Sequence, residues 1–182
     1  MDDEVISLFK HNPNSLRGYS SLTPTFLTIY YIANLSTEYT KLTDVQLANG
    51  KIIEKRMISG FQTALKEGIK LALGTDAAMP YVTHYGTWKE LKLDVKYGAT
   101  NKQAIMYATK SNAEVLGIDK EVGTLEPGKF ADFIAVDGNP VEDLNYLGNP
   151  YMIVKNGQVL DKTDKYIIPE VENMIKGLDK EM

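Results

Sequence analysis

The spacing of apolar residues divides the chain into two kinds of segment. From residue 51 the run KIIEKRMISGFQTALKEG places Ile52, Ile53, Met57, Phe61, Ala64 and Leu65 at steps of three and four. That period predicts a helix, with Gly68 as its carboxyl-terminal cap. IKLALGTD then carries Ile69, Leu71 and Leu73 in alternation and predicts a short buried strand ending at Gly74. A helix, a cap and a buried strand make half of a repeating α/β unit. Upstream, residues 2–10 predict a short helix with Asp2, Asp3 and Glu4 at its positive end, stopped by HNPNS. YSSLTPTF (19–26) reads as extended, residues 26–35 as a further helix, and residues 36–50 are polar and carry no clear period.

After the strand comes a long loop from Thr75 to Tyr85, then a helix from about Gly86 to Tyr97. TNKQAIMYATKSNAEVLG predicts two short helices, the first capped by Thr100, the second opening at Ser111 or Asn112 and closing at Gly117. Beyond Gly123 the pattern turns to short β segments. FADFIAV is a strand, DGNP a turn, and YMIVKNGQVL a pair of strands joined at Asn156-Gly157, a strong hairpin signal. A last helix opens near Pro169. No internal repeat is visible.

Composition narrows the chemistry. The 182 residues are 43% hydrophobic and 24% charged, the balance of a globular protein. Twenty Lys and Arg against 24 Asp and Glu leave a net charge of −4, with no basic excess to neutralise a phosphate backbone, so nucleic-acid binding is not expected. The absence of cysteine removes disulfides, thiol nucleophiles and thiolate metal sites. Only His11 and His84 can supply imidazole. The amino terminus is acidic and lacks a basic stretch followed by an apolar core, and no apolar run approaches the roughly 20 residues of a membrane-spanning helix. A soluble, cytoplasmic chain with no membrane partner is the expectation.

Three passages give the chain a resemblance. GIKLALGTDAAMPYVTHYGTWKELKLDVKYGAT, the run from Lys102 to Leu144 with its Gly-x-Leu-x-x-Gly-Lys-x-Ala-Asp core (Gly123 to Asp132), and MIVKNGQVL together resemble the C-terminal part of the amidohydrolase superfamily, in its imidazolonepropionase-like and prolidase-like branch. DDEVISLF and LTPTF add weaker support, as a segment between the sixth and seventh barrel strands. The resemblance implies an α/β fold: the last βα units of a TIM barrel over residues 1–120, part of a small composite antiparallel β-domain over 121–165, and a C-terminal helix over 166–182. It implies metal-dependent hydrolysis of a C–N bond in a cyclic amide, an amidine or a dipeptide. In that family the metal is held by a His-x-His pair on the first strand, a carboxylated Lys or a Glu on the fourth, histidines on the fifth and sixth, and an Asp on the eighth. Here there is no His-x-His, and the two histidines stand 73 positions apart.

Asp76 alone matches a ligand position, and the resemblance makes it both metal ligand and catalytic base. Its other reading is a Thr-Asp loop that caps a neighbouring backbone N–H. His84, eight residues on, either contacts substrate or is a loop histidine bonded to backbone. His11 is assigned no role, and Glu90, on the helix after the loop, could pair with a neighbour or reach toward the site but is read first as part of a solvated helix face. EPGK (Glu126 to Lys129) lacks the spacing of a phosphate loop and reads as a β-turn. A full eight-unit barrel needs about 200 residues or more. The expectation is therefore a C-terminal amidohydrolase fragment, with a divalent metal, zinc foremost, in the complete enzyme and none held by this chain alone. Strand edges and the apolar positions Ile69, Leu71 and Leu73 would need covering, so a homo-oligomer or a complementing N-terminal fragment is the expected partner besides a small-molecule substrate. The alternative is a non-catalytic relic that oligomerises or binds a partner through its exposed barrel face.

Overall fold

A computed structural model of the chain describes residues 1–160 and 167–182. Helix α1 (Asp3–Lys10) opens with the Asp2 side chain accepting from the Val5 N–H. Strand β1 (Ser21–Leu22) leads into α2 (Phe26–Asn34), a short helix α3 (Thr37–Thr40), and the long α4 (Asp44–Glu67). The polar stretch 36–50, without a clear period in the sequence, supplies the first turns of α4. A capping box starts that helix: Thr43 accepts from the Gln46 N–H, and Gln46 accepts from the Thr43 N–H. Gly68 closes it in the left-handed conformation, as predicted.

Strand β2 (Lys70–Leu71) pairs in parallel with β1, Ser21 opposite Lys70 and Leu22 opposite Leu71. Regular pairing is shorter than the predicted strand, although the Ala72 N–H still reaches the Leu22 carbonyl at 3.1 Å. After a loop and a 3-10 turn (His84–Gly86) comes α5 (Thr87–Lys96). The two helices expected over residues 100–117 are one continuous helical segment. Helix α6 (Asn101–Met106), a π turn (Tyr107–Ser111) and α7 (Asn112–Leu116) follow without a break, because residues 107, 111 and 112 all keep right-handed helical dihedrals. Ser111 is buried inside the segment instead of capping a new helix.

The three-stranded sheet β3 (Phe133–Ala135), β4 (Met152–Lys155) and β5 (Gln158–Leu160) is antiparallel throughout. Asn156 and Gly157 have φ of 52° and 75°, the two positive values a tight two-residue hairpin requires. Helix α8 (Pro169–Asp179) starts on its proline as predicted. The boundary expected at residue 165 lies outside the described residues. The chain is thus a mixed α/β structure with a small antiparallel sheet and a C-terminal helix. Among the described residues no helix is long and apolar enough to cross a membrane.

The main core lies where α2, α4 and α5 meet. Phe26 stacks edge-on against Phe61 at 5.2 Å and against Tyr97 at 4.8 Å. Ile69 and Leu71 join that core, and Leu73 packs beside a second cluster formed by Leu91, Ala104 and Leu144. The three apolar strand positions expected to lack cover are therefore packed within the chain itself: α4 reaches back over β2, and α5 with α6 covers Leu73. Exposed apolar surface lies elsewhere, at Leu16, Val45, Leu116, Leu125 and the outer face of the small sheet.

Candidate functional site

The segment leaving β2 is fixed residue by residue. The Leu73 N–H donates to the side-chain oxygen of Asn112, and the Asn112 amide donates back to the Leu73 carbonyl, both at 3.0 Å. A side chain thus imitates a neighbouring strand. A Cβ at Gly74 would lie 2.7 Å from a methyl carbon of Thr23, just past β1, so a larger residue there would force the Thr23 side chain to shift. Thr75 is buried, and its carbonyl accepts from the Thr28 hydroxyl of α2 at 3.4 Å.

The chain then leaves the packed body at Asp76, which is exposed with φ of 51°. Ala78 and Tyr81 also have positive φ, so three non-glycine residues within six positions occupy sparsely populated backbone. Tight turns hold them: the Met79 N–H donates to the Asp76 carbonyl and the Ala78 N–H to the Val82 carbonyl, each at 3.0 Å. Such strain is sustained only where the surroundings over-determine the loop, as they do at many functional sites. The Asp76 carboxylate accepts no hydrogen bond from a described residue, so the capping alternative has no counterpart here. His84 opens the 3-10 turn with its imidazole exposed, and its carbonyl accepts from the Thr87 hydroxyl at 3.0 Å. His11 lies at the opposite end of β2, in an open groove with Phe9, Lys10, Tyr19 and Lys70.

Glu90 is not on a solvated face. It is 1% exposed, and its two carboxylate oxygens accept from the backbone N–H groups of Phe26 at 2.5 Å and Leu27 at 2.8 Å. It therefore caps the amino terminus of α2 from a different helix. That end needs an outside partner, because Thr25 sits at φ of 52° and its own side chain makes no cap. One turn further along α5, Asp94 is also 1% exposed, with Oδ1 unpartnered. Burial, then the neighbouring Asp94, push Glu90 up to about 8, against the pull of the two amides, and the more distant Asp76 adds a little. Burial alone raises Asp94 to about 7. Neither carboxylate forms an ion pair among the described residues. A signal for this existed: Glu90, Leu93, Asp94 and Tyr97 fall at i, i+3, i+4 and i+7, the period of a core-facing stripe.

As a metal centre the donor set is incomplete. A catalytic zinc takes about three protein ligands and a water. Among the described residues no group of three or more His, Cys, Asp or Glu side chains could hold an ion. Asp76 can supply one carboxylate, and the residues present do not fit a whole metal site.

Residues 22–160 match the model of the amidohydrolase family, and the chain belongs to that family. It superposes on a putative prolidase from Bifidobacterium longum with a TM-score of 0.94 and 38% identity, covering 97% of this chain and 44% of that one. A Xaa-Pro dipeptidase with methionine in its active site gives a TM-score of 0.72 and 29% identity over 88% of this chain and 37% of that one. By sequence the chain is similar to a 5-methylthioadenosine/S-adenosylhomocysteine deaminase from Teredinibacter turnerae, with 34% identity over 47% of this chain and 21% of the relative. An imidazolonepropionase from Acinetobacter baumannii is 32% identical over 53% of this chain and 25% of the relative. The chain thus spans less than half of each of these proteins.

Proposed function

We propose that the chain is the C-terminal part of a metal-dependent amidohydrolase that cleaves a C–N bond, with a Xaa-Pro dipeptide as the first substrate class to test. The observation that carries this reading is the superposition on the putative prolidase over nearly the whole chain. On this reading β1 and β2 are the last two strands of a (β/α) barrel within residues 1–120. Residues 121–165 contribute to a small β-domain and 166–182 form its closing helix. Asp76, at the carboxyl end of a barrel strand where catalytic groups gather, offers its carboxylate as one metal ligand and as the acceptor of a proton. His84, exposed eight residues further along the same loop, is the candidate hydrogen-bonding group for substrate. A divalent ion, zinc foremost, would supply Lewis acidity in the complete enzyme, but the missing ligands must come from polypeptide other than these residues. The chain alone is therefore inactive, and the partner that completes the site is a complementing N-terminal segment; association with a further copy would cover exposed surface without supplying the His-x-His pair.

Metal content and size, measured in one gel-filtration run by plasma mass spectrometry and light scattering, test this. The expected result is metal far below one ion per chain, and no hydrolysis of Xaa-Pro dipeptides. Both should appear when the chain is co-expressed with a polypeptide carrying a His-x-His barrel half, and both should be lost in Asp76→Asn. Stoichiometric metal in a monomer would overturn the shared-site reading. An oligomer without metal that stays inactive after complementation would favour the non-catalytic alternative.

A further inference from the structure

Helix α8 is held to the rest of the chain by polar groups that are themselves covered. Lys89, in the first turn of α5, is 6% exposed. Its ammonium lies 2.7 Å from the Asp179 carboxylate and 3.4 Å from that of Glu172, on turns near the two ends of α8. The Tyr31 hydroxyl donates to Asp179 at 2.8 Å, and Ile175, between the two acids, is 1% exposed. The other end of the contact is the turn that carries His84. The Ile168 N–H, just before α8, donates to the Tyr85 hydroxyl at 3.1 Å. Lys89 follows the same turn by three residues, and its stem bounds the space beside Gly86, where an added Cβ would stand 3.7 Å from Lys89 Cδ.

Lys89 therefore stands beside the His84–Gly86 turn with its aliphatic stem and meets α8 with its charge. A buried ammonium cannot keep its place once its carboxylates leave, because an unpaired charge in a dry site is strongly unfavourable. Undocking of α8 would draw the lysine head toward water and pull its stem off Gly86. It would also free the Tyr85 hydroxyl. We propose that Lys89 and Tyr85 are positioning residues through which the docked C-terminal helix sets the conformation of the His84 turn. The bearing of this coupling on substrate binding rests on the proposed role of His84; the coupling itself does not.

The chain has only two histidines, so its imidazole Cε1–H spectrum holds two signals, which His11→Gln assigns. In Lys89→Met the His84 signal should shift while His11 stays in place, and amide exchange over residues 85–87 should rise about tenfold or more, as for a loop that loses its tether. Lys89→Arg, which keeps both the charge and the stem, should restore the parent signal. Tyr85→Phe should give a smaller shift of the same signal, and it carries the test if Lys89→Met does not fold. A folded Lys89→Met or Tyr85→Phe with the parent His84 signal and parent exchange overturns the proposal. These readouts need neither metal nor turnover, so failure of the hydrolase reading leaves them standing, and the reverse holds too.

Discussion

The block formed by α2, α4 and α5 and the sheet formed by β3, β4 and β5 use the same kinds of apolar residue in opposite ways. In the block, Phe26, Phe61, Leu93 and Tyr31 are all 1% exposed or less. In the sheet, Ile134, Ile153 and Leu160 stand in register across three strands and are 45%, 39% and 48% exposed. Val154, on the other face, is the one sheet residue in the buried core. Burial and buried hydrogen bonds define the block. Turn chemistry and backbone ties define the sheet: Asp132 accepts from the Asn156 N–H at 2.7 Å and pairs with Lys155, and the Gly157 N–H donates to the Ala131 carbonyl at 3.0 Å. Local rules can thus specify a sheet without burying it, and a sheet so made leaves an apolar face available.

The contrast is broken most directly in the block. Phe61→Ala should cost about 3–5 kcal/mol in urea unfolding, since it empties the centre of the aromatic cluster. Next, Asn112→Ala should cost about 1–3 kcal/mol by leaving the Leu73 amide and carbonyl unpaired. Its specific sign is faster hydrogen exchange at Leu73, and unchanged exchange there would remove Asn112 from the account of the loop.

A pH-dependent effect is expected from the buried acids. Asp94 holds its proton to about pH 7 when folded but releases it near pH 4 when unfolded. The folded chain then binds more protons over that interval, so this group makes stability fall as pH rises from about 4 to about 7. Asp94→Asn should match the parent near pH 4 and become progressively more stable than it toward pH 7. A constant difference across that range would show that Asp94 is not the titrating group. Smallest of all, Ile153→Thr on the open face of the sheet should change stability by less than about 0.5 kcal/mol. A loss as large as that of Phe61→Ala would mean the sheet face is covered in solution.

Features governed by neighbouring residues were legible in the sequence. The Gly68 cap, the Thr100 cap, the Asn156-Gly157 hairpin, the Pro127-Gly128 turn and the proline start of α8 depend on a few adjacent residues and stand where predicted. Features governed by distant partners were not. Glu90 is buried because it meets the amino terminus of α2 at Phe26 and Leu27, 64 and 63 positions away. Nothing in a Glu beside Lys89 announces that, except the helical stripe it shares with Leu93, Asp94 and Tyr97. Residues 36–50 lacked a readable period because the first half of α4 is largely exposed, with Val45, Ile52 and Ile53 facing water. At the site, Gly-Thr-Asp singled out Asp76, but its backbone strain and the clasp of Asn112 on Leu73 exist only in three dimensions.

The π turn at Tyr107–Ser111 makes that clasp a matter of phase. A π turn accommodates one residue more than the α-helical repeat, and each helical residue turns the chain by about 100°. Asn112, which meets Leu73, follows directly on that extra residue. Deleting a single residue between Tyr107 and Ser111 would leave a more regular helix and swing the amide away from the strand it completes. In this segment the irregular helix is the one in register, and residue count matters more there than residue identity.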